Sequence, residues 1–72
     1  MLTFELESCE NGRYVFIYYP NDDKTVPGRI AKYEDGKREV IHDSPADVKG
    51  YYRGHAFSGI DISKKEGTVA WC

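Results

Sequence analysis

The chain has no apolar run long enough to cross a bilayer; the longest, Tyr14 to Tyr19, is only long enough for a strand. It has no basic stripe. Ten Lys and Arg stand against twelve Asp and Glu, the formal charge is −2, and no long block of like charge occurs. That balance argues against nucleic acid and against an anionic membrane surface as partners. The opening MLTFELESCE lacks a basic region followed by an apolar one, so no signal peptide is expected and the expected location is cytoplasmic.

Cysteine is scarce. Cys9 and Cys72 cannot make a disulfide framework, and in a reducing cytosol both are expected as free thiols. In an oxidising compartment they could pair with each other or across a dimer. With His42 and His55 they total four soft ligands, the count of a Cys₂His₂ zinc site, but no C-x₂₋₄-C or H-x₃₋₅-H spacing is present. No metal site is expected. Asp22 and Asp23 lack the alternating acids, glycine and closing Glu of a calcium loop. G-x-x-x-x-G-K, G-x-G-x-x-G and G-x-S-x-G are all missing, and no Cys-His nucleophile pair is indicated. The chain therefore reads as a non-enzyme without a cofactor. It carries no internal repeat, no low-complexity segment and no resemblance to a family of known activity.

What is present is compact and aromatic. The 72 residues suit one small domain, 1–72, with 40% apolar and 31% charged residues. A domain this small has little core, and the 14% of aromatics supply large buried areas to offset that.

Asn11-Gly12 is the preferred pair for a two-residue type I′ hairpin turn. In that register Ser8, Leu6 and Phe4 oppose Val15, Ile17 and Tyr19 on one face. Cys9, Glu7 and Glu5 oppose Tyr14, Phe16 and Tyr18 on the other. A second hairpin turns at Asp35-Gly36. It would set Glu34 against Lys37, Lys32 against Glu39, Ile30 against Ile41 and Arg29 against His42, with two matched charge pairs. PNDDKTVPG between the hairpins is a loop.

Ser44, Pro45 and Asp47 have the form of a helix start: a cap, a first-turn proline and an acid. Val48, Tyr51, Tyr52, His55, Ala56, Gly59 and Ile62 then recur at helical steps, which predicts a helix over about 45–65. Lys64, Lys65 and Gly67 suit its end. The alternative ends it near Phe57 and makes GIDIS a short strand. GTVAWC closes the chain as a strand with Val69 and Trp71 on one side. The expected fold is α+β: an antiparallel sheet of about five strands, in chain order ββββαβ, with one helix packed on one face. Short bacterial or phage proteins often have this layout.

Two candidate sites follow. The strand Arg13–Tyr19 is apolar on both faces, and one helix can cover only one of them. Either the sheet curls over the second face, or Tyr14, Phe16 and Tyr18, with Trp71 as a fourth anchor and Glu5 and Glu7 as an acidic rim, meet a protein partner, either a different protein or a second copy in a homodimer. Such a row also stacks single-stranded bases in RNA-binding sheets, but its acidic neighbours repel phosphates. The second candidate is a small-ligand site or minor enzyme built on Tyr51, Arg53 and His55. The structural alternative for that cluster is a packed helix with a buried, hydrogen-bonded His55.

Overall fold

A computed structural model describes residues 1–71, and Cys72 lies outside them. Five strands form one antiparallel sheet: β1 (Leu2–Glu10), β2 (Arg13–Pro20), β3 (Gly28–Tyr33), β4 (Arg38–His42) and β5 (Glu66–Val69), in spatial order β4-β3-β2-β1-β5. One helix, α1 (Tyr51–Gly59), packs on one face. The expected α+β layout is therefore present, and β5 lies on the edge beside β1. Among the described residues no helix is long and apolar enough to cross a membrane.

The first hairpin turns as its sequence predicts. Asn11 and Gly12 both have positive φ, the type I′ signature, and Glu10, Cys9 and Ser8 oppose Arg13, Tyr14 and Val15. Glu7 is then an extra residue without a partner. Beyond this bulge Leu6 opposes Phe16, Glu5 opposes Ile17, Phe4 opposes Tyr18 and Thr3 opposes Tyr19. The expected pairing is shifted by one residue, and each β1 residue before the bulge meets the other set of β2 side chains.

That shift assembles the core. Leu2, Phe4, Phe16, Tyr18 and Ile30 lie on the helix side and close against Ala56, Phe57 and Ile60. Phe4 and Phe16 meet edge to face at 5.8 Å. Tyr18 covers Gly28 so closely that a Cβ there would clash with the hydroxyl end of the ring, so this position accepts only glycine without rearrangement.

The second hairpin also departs from its expected register. Gly36, at φ 91, follows a tight turn closed by its N–H to the Tyr33 carbonyl, and the Tyr33 N–H bonds the Lys37 carbonyl. This is a three-residue loop, not the two-residue turn expected. Lys32 opposes Arg38 and Ile30 opposes Val40, so neither expected charge pair forms. An extra residue at Ile41 cancels the slip, and Arg29 opposes His42 as predicted. Lys32 instead reaches across the helix face and donates to the Ile60 carbonyl just past α1. Burial, and then the nearby charge of Arg38, lower the pKa of its ammonium.

The helix is shorter than the predicted 45–65. Lys49 and Gly50 both have positive φ, which no right-handed helix contains, so α1 cannot begin before Tyr51. Ser44 does not cap it; its hydroxyl donates to the Val26 carbonyl at 2.6 Å and pins this segment to the 21–27 loop. The cap is Asp47, whose carboxylate accepts the N–H groups of Tyr52 at 2.9 Å and Arg53 at 3.0 Å. At the other end Ile60 turns extended and buries its side chain. An Asp61 turn onto Ser63 follows, so GIDIS is not a strand, and Lys64 and Lys65 lie beyond the helix. Gly59 makes a close approach onto Val69 of β5.

Asp47→Ala should lower stability by about 1–2 kcal/mol, because two first-turn N–H groups lose their acceptor. Chemical denaturation of the variant checks this; an unchanged midpoint would mean that the helix starts without the carboxylate.

Candidate functional site

The first candidate row divides between two faces. Phe16 and Tyr18 have no exposed surface and lie under α1. Tyr14 packs at the margin of the same core, and its hydroxyl donates to Glu34 at 3.1 Å. Glu5 and Glu7 lie on the opposite face: Glu5 accepts from the Tyr19 hydroxyl at 2.9 Å, and Glu7 pairs with Arg29 at 2.8 Å. The bulge at Glu7 causes this separation. The proposed aromatic surface with an acidic rim is corrected accordingly: the row is core, and no exposed platform remains on it for a partner or for stacked bases.

Among the described residues, neither a second helix nor a curled part of the sheet covers the second face. Val15 and Ala31 are nonetheless buried there. Long polar side chains roof them. Arg13 bonds Glu39 at 3.1 Å and the Tyr33 hydroxyl at 3.1 Å, and Tyr33 donates to Glu39 at 2.7 Å. The Tyr33 hydroxyl first, then Arg13, hold the Glu39 carboxyl below its ordinary pKa. Arg29–Glu7 and Tyr19–Glu5 add two more pairs on this face, with the Arg29 Nε buried; long side chains of this kind cover apolar surface with their stems.

The second candidate also separates. Arg53 turns away to chelate Asp43 at 2.8 and 2.9 Å. Tyr51 and His55 stay together, one helical turn apart, with ring centroids at 4.9 Å. Trp71 joins them from the end of the chain. Its indole stacks on His55 at 3.9 Å with planes 4° apart, and its Nε1–H donates to the Tyr51 hydroxyl at 2.6 Å. Tyr52 meets Trp71 edge-on at 5.7 Å. His55 is half-buried and held by stacking, and among the described residues its ring makes no side-chain hydrogen bond of the kind expected of a core histidine.

The site is thus a four-ring cluster that takes Trp71 from one expected set and Tyr51 and His55 from the other. Tyr51 remains 53% exposed, and Val48, on the turn before the helix, 69%. Arg53 leaves the cluster for an ion pair, and Tyr52 packs against the core and forms the inner wall of the cluster. No short-range signal joins Trp71 to Tyr51; the contact spans 20 positions. Among the described residues no three His, Cys, Asp or Glu side chains gather closely enough to hold a metal. Compared with family models, with curated proteins and with solved structures, the chain matches none.

The core row makes two predictions. Phe16→Glu would bury a carboxylate among apolar rings at a cost of about 4 kcal/mol or more and should unfold the protein; a native circular dichroism spectrum would contradict the burial. The Tyr18 hydroxyl is buried without a well-formed hydrogen bond, and its pKa is pushed up to about 12 by burial, then by the charge of Asp47. Tyr18→Phe should therefore keep stability within about 1 kcal/mol or raise it. Folding favours the neutral phenol, so this contribution is full below the ordinary value of 10 and is lost as pH rises through about 12. Urea midpoints compared at about pH 9 and about pH 11.5 should fall less for Tyr18→Phe than for the parent; equal falls would exclude Tyr18 as the titrating group.

Proposed function

We propose that the protein is a cytoplasmic protein-interaction module whose contact surface is the ring cluster at the helix start, with Tyr51 as anchor, Trp71 and His55 as its support and Val48 beside it. One observation carries this reading. Tyr51 is a large ring more than half exposed, yet it is fixed on several sides by Tyr52, His55 and Trp71. A ring already held in place loses little side-chain entropy on binding, and tyrosine and tryptophan are the usual anchors of protein interfaces. The complementary occupant is an apolar or aromatic side chain of another polypeptide, and a second copy of this chain is the first partner to test.

Light scattering after size exclusion, over a range of concentrations and with reductant present, is the direct measurement. A dimer that Tyr51→Ser disperses without lowering thermal stability supports self-association through this surface. If the parent is monomeric throughout, parent and Tyr51→Ser serve as paired baits for partner capture. Recovery of the same proteins by both would overturn the assignment of this surface.

A further inference from the structure

On the face of the sheet away from α1, three strands place Ile17, Arg29 and His42 side by side as cross-strand neighbours. Tyr19 follows two positions along β2, and the 21–27 loop brings Lys24 and Pro27 over the same spot. Together they line a pocket of about 180 Å³. Its floor is the Ile17 side chain and the Pro27 ring. Its walls carry an ammonium, a guanidinium and an imidazole, and no acidic side chain lines it. The lining carries two cations and no acid, and the acids that pair with those cations stand outside it.

The cations are held by acids that stand outside the lining. Lys24 contacts Asp22 at 3.2 Å and lies 3.9 Å over the Tyr19 ring. Arg29 contacts Glu7 at 2.8 Å through one terminal nitrogen. Each cation therefore uses part of its donor set, since an ammonium has three N–H donors and a guanidinium five. The acids fix the direction of the cations and leave further donors for a ligand. The volume is that of about six water molecules, enough for one ring and one charged group and too little for a nucleotide.

We propose that this pocket binds a small organic carboxylate with a compact apolar body, its carboxylate between Lys24, Arg29 and His42 and its body against Ile17, Pro27 and the Tyr19 ring. The carboxylate accepts from the N–H donors that Asp22 and Glu7 leave unused, and a flat apolar body fits a floor that offers no hydrogen-bonding side chain. The site lies on the opposite face of the sheet from the ring cluster and does not depend on the interaction surface proposed above.

Benzoate titrated into isotope-labelled protein, followed by amide and imidazole NMR, tests it. The expected shifts centre on Gly28, Arg29 and His42. Benzyl alcohol, which keeps the ring and lacks the charge, should bind about tenfold more weakly, and Lys24→Gln should weaken benzoate about threefold. Lys24 is well exposed, so the variant keeps the fold. Shifts spread evenly over surface cations, or unchanged by Lys24→Gln, would overturn the site. Inorganic phosphate binding as well as benzoate would overturn the ligand class, because the apolar floor would then contribute nothing.

Discussion

The single unpaired residue at Glu7 organises the sheet. Side chains alternate along a strand, so one inserted residue exchanges the two faces for everything beyond it. On the turn side of the bulge, Tyr14 opposes Cys9; on the far side, Phe16 and Tyr18 oppose Leu6 and Phe4. Large apolar side chains from β1 and β2 thereby share one face, and the helix closes on that face. Without the bulge, Leu6 and Phe4 would share a face with Ile17 and Tyr19, and Phe16 and Tyr18 would share the other face with Glu5 and Glu7. The carboxylates of Glu5 and Glu7 go to the other side, where water and Arg29 receive them.

That second side shows how 72 residues protect both faces of a sheet with one helix. Exposed ion pairs contribute little energy one by one. Their value here is coverage. The stems of Arg13 and Arg29 and the rings of Tyr19 and Tyr33 shield Val15 and Ala31, while Glu5, Glu7 and Glu39 hold their polar ends in place. Because the roof consists of side chains and not of a packed element, it can leave an opening, as it does beside Lys24 and His42.

The helix follows the same economy. Two left-handed residues, Lys49 and Gly50, delay its start until the chain has passed the Ser44 anchor, and Asp47 reaches forward to cap it. Its early end frees Ile60 for the core and its carbonyl for Lys32. The short helix leaves Tyr51 at its first position, out of the core. There Trp71 packs against it after β5 has returned along the edge of β1.

Local chemistry was sufficient for the element types, their chain order, the Asn11-Gly12 turn and the presence of a cap-forming segment near Asp47. Each depends on the conformational preferences of a few neighbouring residues. Two features were beyond its reach. A bulge changes one residue in the count and leaves no fixed mark in the composition of either strand, so simple alternation from the Asn11-Gly12 turn pairs Leu6, Glu5 and Phe4 with the wrong β2 residues. The ring cluster unites residues about 20 positions apart, and nothing in GTVAWC or YYRGHAF indicates that the two segments meet. Only packing decided these. A side chain's face and its distant neighbours follow from how the whole sheet closes on the helix, which is a property of the assembled chain and not of any short stretch of it.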